Sequence, residues 1–220
     1  MIAGLYPYTR GGHRSAPVVT LREIPESLDV NPGYRERLTV LAGDRWSADQ
    51  LRGFGLQVHR QFGDAPEWVH RDAAHKMKHW MCRWALEEFG EFLWVDWDTV
   101  WLRQPDDEFV EWTRSSGTPR FIRIRDYWAT VNCGVYYAPE RWAAAMEASF
   151  EAEVEEPNDE LLWRSVLPAD VRSRRDFWWG PRVVHVETLS EIDAVGPEAV
   201  FVHTKSLSWA EQIRARAGAA

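Results

Sequence analysis

Phe92-Leu93-Trp94-Val95-Asp96-Trp97-Asp98-Thr99-Val100-Trp101-Leu102 is the stretch whose reading decides the fold. An apolar run enters it, two acids interrupt it, and a second apolar run leaves it. A short apolar, β-branched or aromatic run bounded by a break reads as a buried strand. Asp96 and Asp98 then stand at the strand's end. Side chains alternate along a strand, so residues two apart point the same way and the two carboxylates are expected to converge. Trp97, between them, faces the opposite side and is expected in the core. Two unpaired carboxylates in that place repel each other and lack solvation. A divalent cation removes both problems. Hard oxygen ligands suit Mg2+ or Mn2+, which keep open positions for substrate phosphates. A bare Asp-x-Asp is common, and its acids can cap a turn or sit in solvent. The buried strand before it and the apolar run after it give this one its weight.

The chain around this stretch has 220 residues, 45% hydrophobic and 27% charged, which suits one globular domain. No run of about 18 apolar residues occurs, so no transmembrane segment is expected. The opening Met1-Ile-Ala-Gly-Leu-Tyr-Pro-Tyr-Thr-Arg lacks the basic start and apolar core of a signal peptide, and the expected compartment is the cytoplasm. The net charge of -8 weighs against a nucleic-acid partner, because such binders usually present a basic face. Arg120/Arg123/Arg125 and Arg172/Arg174/Arg175 are short cationic clusters that read as solvated faces. Cys82 and Cys133, the two cysteines, read as buried reduced thiols and not as a disulfide or zinc site. Fourteen tryptophans are unusual for this length; such rings stack on sugars and bases, or fill a core.

Two stretches compete for the first strand, Met1–Tyr8 and Pro17–Leu21. A Pro- and Gly-punctuated connection is expected from Ile24 to Tyr34. A strand at Leu38–Ala42 precedes a short helix capped by Ser47 and closed by Gly55. Leu56–Phe62 alternates as a strand. His70–Phe89 carries Met77, Trp80, Met81, Trp84, Ala85 and Phe89 at helical spacing, with Asp72 and Gly90 as caps. A short helix follows Pro105. Strands are expected at Arg120–Arg125, Val131–Ala138, Val183–Val186 and Val200–His203, with helices at Pro139–Val154, from Asn158 to Pro168, and in the tail from Ser208. Strands and helices alternate through the first hundred residues, which favours an α/β layered domain with a mostly parallel sheet in that half. Ligands of such sheets sit at the carboxyl ends of strands, where Asp96 and Asp98 are.

Five segments occur in a telling order: a helix with Lys76 and Lys78, the Asp-x-Asp strand, Val131-Asn-Cys-Gly-Val-Tyr-Tyr, Asn158-Asp-Glu-Leu-Leu-Trp, and Phe201-Val-His-Thr-Lys-Ser. Taken together, from about Asp72 to Trp209, the chain resembles nucleotide-sugar-dependent glycosyltransferases of the GT-A fold. The resemblance implies a single domain over residues 1–220 with a GT-A-like (Rossmann-like) mixed, mostly parallel central sheet flanked by helices. It implies a nucleotide-sugar-binding half at about 1–104, an acceptor-side half at about 105–209 and a short tail at 210–220. Its cofactor would be Mn2+ or Mg2+, held by Asp98, by His203 and by Asp96, which in the family meets either the metal or the ribose. Lys205 would meet the donor diphosphate. Lys76 or Lys78 would reach the donor; the two cannot share a helix face, and Lys76 is favoured. Asn132 and Gly134 would approach the sugar, with Cys133 where a small polar residue is commoner. Asp159 and Glu160 match an acidic pair at a helix start that faces the acceptor, where one serves as base in an inverting enzyme or holds hydroxyls in a retaining one. Such acids also stabilise a helix N-terminus by themselves. Trp178 and Trp179, followed by Gly180, are the candidates for stacking on an acceptor sugar. The N-terminal base-binding segment departs from the family pattern; Tyr8 or Thr9 is the residue there that could meet the base.

The expected activity is therefore metal-dependent transfer of a sugar from a nucleotide-sugar donor to an acceptor hydroxyl on a glycan, metabolite or protein. Nucleotidyl transfer is a rival that also uses Asp-x-Asp, but Gly11-Gly12 is poorly placed as its phosphate loop. A non-catalytic nucleotide-sugar or carbohydrate-binding protein is another, and would suit the tryptophan content.

Overall fold

Gly90 opens the organising strand. Its φ of 75° ends the long helix before it, its N–H meeting the Leu86 carbonyl at 2.9 Å; a residue with a Cβ adopts that conformation only at a cost. The structure, a computed structural model, describes residues 2–3, 23–66, 69, 74–123, 131–151, 163, 166–167 and 177–218. In chain order the elements are β1 (Ile2–Ala3), α1 (Glu23–Val30), α2 (Tyr34–Arg37), β2 (Val40–Ala42), α3 (Arg45–Gly53), β3 (Val58–Gln61), α4 (Ala74–Phe89), β4 (Glu91–Val95), β5 (Thr99–Trp101), α5 (Asp107–Ser115), β6 (Arg120–Arg123), β7 (Val131–Pro139), α6 (Ala143–Glu151), β8 (Val183–Val186), β9 (Phe201–Thr204) and α7 (Ala210–Ala217). Short 3-10 turns join several of the later ones.

The strands form three sheets among the described residues: β1-β4-β7-β6, β5-β9-β8 and the pair β2-β3. The expected mostly parallel central sheet is corrected here. In the four-stranded sheet only β1 runs parallel to β4, while β7 is antiparallel to both β4 and β6. In the second sheet β5 is antiparallel to β9, and β8 is parallel to it. The central stretch belongs to both sheets. The chain leaves the first sheet at Val95 and enters the second at Thr99, so Asp96, Trp97 and Asp98 form the corner between them.

Two apolar clusters lie beneath the sheets. Phe92, Trp94, Trp97, Phe121, Tyr136, Trp163 and Phe177 are fully buried in the larger core. There Phe92 meets Tyr136 edge-on at 5.4 Å, a favoured aromatic arrangement. Helix α4 turns Met77, Met81, Cys82, Ala85 and Leu86 into that core and packs on β4 and α6. Val100, Val186, Ile192, Val202 and Ile213 make the second cluster, beneath β5-β9-β8. Burial of an aliphatic side chain is worth about 1.5–3 kcal/mol, which explains why these strands read as nearly continuous apolar runs.

Local differences from the sequence reading have simple causes. The segment Ile24–Tyr34 is largely helical because Ile24, Leu28 and Tyr34 bury together, and Pro25 sits in the first turn of α1, where its missing N–H costs nothing. Asp44, not Ser47, caps α3: its carboxylate accepts the Ser47 backbone N–H at 2.7 Å. The first strand is Ile2–Ala3; Tyr8, Thr9 and the competing Pro17–Leu21 lie outside the described residues. Asp72, Arg125, Arg172, Arg174 and Arg175 also lie outside them. Both cysteines are free and buried. No helix among the described residues is long and apolar enough to cross a membrane.

Candidate metal and donor site

Backbone hydrogen bonds hold the corner from both sides. Asp96 N–H donates to the Gly134 carbonyl at 2.7 Å, and Thr204 N–H donates to the Asp98 carbonyl at 2.9 Å. Immediately after the corner, the Thr99 carbonyl accepts from Asn31 Nδ2 at 2.8 Å and from the Tyr34 hydroxyl at 3.0 Å. Strand register then sets Thr99 opposite His203. The result is a group of three: a ligand atom from each of Asp96, Asp98 and His203, all within 4.8 Å of one another. The expected convergence occurs, though the strand stops at Val95 and the turn brings the carboxylates together.

Each member has defined partners. Asp96 accepts from Trp94 Nε1 at 2.6 Å and from Lys78 Nζ at 3.1 Å. Lys78 Nζ also donates to the Cys133 carbonyl at 2.8 Å. His203 Nε2 lies 3.1 Å from Asp98 Oδ1, and His203 Nδ1 lies 2.9 Å from Nδ1 of His185. Burial pushes the Asp98 carboxyl pKa up, but His203 and Lys78 outweigh it and leave the pKa lowered. Burial also opposes charge on His203, and the Asp98 carboxylate overcomes this and raises the ring's pKa. His185, half-buried and beside His203, is pushed down to about 3 by desolvation and by that neighbour, and stays neutral.

Gly134 has a direct steric reason. A Cβ there would fall 2.4–2.5 Å from the His203 ring, so the imidazole lies against the bare Cα. Asn132 Oδ1 accepts the Gly134 N–H at 3.0 Å and fixes that backbone. Asn132 and Gly134 thus reach the site by backing His203 and Asp96.

The residues fit a cation. Two carboxylates and an imidazole converge there, a donor set of two hard oxygens and one nitrogen. Asp98 Oδ1 is buried, facing His203 Nε2 without an aligned hydrogen bond, while the rest of its side chain keeps 37% exposure. Adjacent octahedral ligands of a cation with bonds of about 2.1 Å lie about 3.0 Å apart, and His203 Nε2 and Asp98 Oδ1 are 3.1 Å apart.

The other expected residues are placed as follows. Lys205 is exposed just past β9. Lys76 is on α4 with its side chain outside the described residues; Lys78, buried at 3% exposure, reaches the corner at Asp96. Asp159 and Glu160 lie outside the described residues. Trp179 borders the same groove as Trp178 but is buried, lies parallel to Phe109 at 5.8 Å, and donates through Nε1 to the Val135 carbonyl at 2.9 Å. Trp178 is half-buried and lines an open groove of about 780 Å³ with Trp112, Arg120, Arg182 and Glu198. Glu198 and Arg182 precede β9 and β8, so this groove lies toward the Phe201 end of β9, away from His203. His185 is the residue that sequence reasoning missed, and Lys78 is the alternative it placed below Lys76. Lys78 had a signal, since it is one turn from Cys82 and two from Ala85, both buried. His185 had none without the strand register.

No family model matches the chain, and no curated protein matches it. Among solved structures, it is similar to the crystal structure of a glycosyltransferase involved in the glycosylation of the major capsid of PBCV-1. The identity is 15%, the TM-score is 0.55, and the match covers 97% of this chain and 98% of the other. At that identity the likeness speaks for architecture alone: across nearly its whole length, the chain has the fold of a glycosyltransferase.

Proposed function

We propose that this protein is a divalent-metal-dependent glycosyltransferase of the GT-A type, moving a sugar from a nucleotide-sugar donor to an acceptor hydroxyl. One observation carries the reading: Asp96, Asp98 and His203 meet at the corner between two sheets, in a chain with a glycosyltransferase's fold. Asp98 and His203, with Asp96, would hold Mn2+ or Mg2+, an oxygen-rich shell with one nitrogen that suits either ion. When bound, the cation would neutralise charge on the donor diphosphate.

The chain's own groups do the rest. Lys78 holds the Asp96 carboxylate in place through its ion pair. Lys205, exposed beyond the metal ligand, meets phosphate oxygens as charge builds on the leaving nucleoside diphosphate. Asn132 and Gly134 fix the floor against which the sugar sits, and Lys76 is a second candidate for the donor. Asp159 or Glu160 faces the acceptor: in an inverting reaction one takes the hydroxyl proton as the new C–O bond forms and the bond to the diphosphate breaks. In a retaining reaction the pair holds hydroxyls instead. The groove at Trp178, about 7 Å further along β9 at 3.3 Å per residue, is where a longer acceptor would lie.

The test is a panel of nucleotide sugars scored by thermal shift with and without Mn2+, followed by transfer assays on the stabilising donor. The reading expects one donor whose stabilisation requires Mn2+, and transfer that stops in excess chelator. Cleavage between α and β phosphates of a triphosphate would instead indicate nucleotidyl transfer. Donor binding with neither hydrolysis nor transfer over a wide acceptor screen would indicate a binding protein.

A further inference from the structure

His185 stands on β8, directly opposite His203 on the parallel neighbour β9. The ring centroids are 4.9 Å apart and the planes tilt by 31°. The two Nδ1 atoms approach to 2.9 Å, a hydrogen-bond distance between two nitrogens. Such a contact holds one proton: one ring donates Nδ1–H and the other accepts through a lone pair. There are two ways to place it. If His185 donates, the Nδ1 of His203 is the lone-pair nitrogen, and the proton of a neutral His203 ring sits on Nε2. If His203 donates, its Nε2 carries the lone pair. Nε2 is the atom that faces Asp98, at 3.1 Å. Only the second arrangement lets His203 serve as a ligand beside Asp98.

We infer that His185 is a positioning residue: by accepting the Nδ1–H of His203 it fixes the ring's tautomer and turns the Nε2 lone pair toward the cation site. The inference rests on the proposed cation reading and adds a residue to it. Gly134 and His185 divide the task. Gly134 opens the space the ring occupies, where a Cβ would fall 2.4 Å from it, and His185 sets its rotation and its proton. Partners that orient a metal-bound histidine through its second nitrogen commonly change metal affinity ten- to a hundredfold. A cross-strand contact of purely structural value would not do so.

Two variants separate these roles. His185→Asn places an amide oxygen near the position of the lost Nδ1 and keeps an acceptor. His185→Leu fills the space and removes it. Mn2+ affinity is measured by titration against the electron paramagnetic resonance signal of the free ion, alongside the metal-free melting temperature. The expected result is Mn2+ binding weakened about tenfold or more in His185→Leu, mostly recovered in His185→Asn, with both variants melting within a few degrees of wild type. Wild-type Mn2+ affinity in both variants overturns this inference alone, as does a loss in both that merely follows the loss of melting temperature. Failure of the wild-type protein to bind Mn2+ overturns the cation reading, and this inference with it.

Discussion

Strand β4 carries acids at both ends, and the two ends solve the same electrostatic problem differently. At its start Glu91 is fully matched: Tyr137 donates its hydroxyl to one oxygen at 2.8 Å, and Arg114 donates Nε to the other at 2.7 Å. One carboxylate meets one guanidinium, and Glu91's pKa is lowered because these bonds and the charge outweigh its partial burial. Just past its other end, Asp96 and Asp98 share one buried ammonium and one imidazole, and Asp98 Oδ1 is left without an aligned donor. The first end is a closed structural clamp. The second gathers two carboxylates and an imidazole whose ligand atoms lie within 4.8 Å of one another, a set of the kind a cation takes. Acids on a strand are common; a pair converging with an imidazole and pinned by backbone hydrogen bonds is what marks this end as the candidate site.

The sharpest way to break this contrast is to neutralise one acid at each end. Asp98→Asn should lower sugar transfer by more than about a hundredfold, the scale for losing one preorganised charge contact, whereas Glu91→Gln should transfer like wild type. Comparable losses in both would erase the distinction. Lys78→Met comes next. Removing one partner of a buried pair costs about 3–5 kcal/mol, and Lys78 is 4% exposed against 18% for Asp96. Denaturant unfolding should show that loss, and Mn2+ should raise the variant's melting temperature more than the wild type's, because the cation replaces the missing charge. Gly134→Ala should cost about 1–3 kcal/mol by overpacking and should weaken Mn2+ binding as the His203 ring is displaced, which calorimetry reads separately.

The smallest effect is at the clamp. Glu91's folded pKa is lowered, so its contribution is present above the unfolded value of about 4.3 and is lost as pH falls through the folded value. Glu91→Gln should therefore flatten the acid limb of the stability profile, measured by urea unfolding between about pH 5 and 3, while leaving Mn2+ affinity unchanged.

Much of the site was legible because it is built from chain-local signals. The apolar run, the two acids and the later Val-His-Thr-Lys segment pointed to residues that the structure brings within 4.8 Å. The reasoning about how they converge was incomplete. Strand alternation suggested one continuous strand, but backbone hydrogen bonds from Gly134 and Thr204 turn the chain between two sheets. The direction of β7 was not legible at all, since an apolar strand reads the same whichever way its neighbour runs. Lys76 and Lys78 differ only by helix phase, and the burial of Lys78 follows from how α4 rolls onto β4. Trp179 looked like a sugar platform because no periodicity claimed it; its N–H reaches a carbonyl of β7, a tertiary contact without a local trace.

The most direct measurement is a Mn2+ titration of the wild-type protein, Asp98→Asn and Glu91→Gln by isothermal calorimetry, in the presence of a nucleoside diphosphate. The account expects one Mn2+ per chain in wild type and Glu91→Gln, and its loss in Asp98→Asn. No binding in wild type, or equal binding in all three, would contradict it.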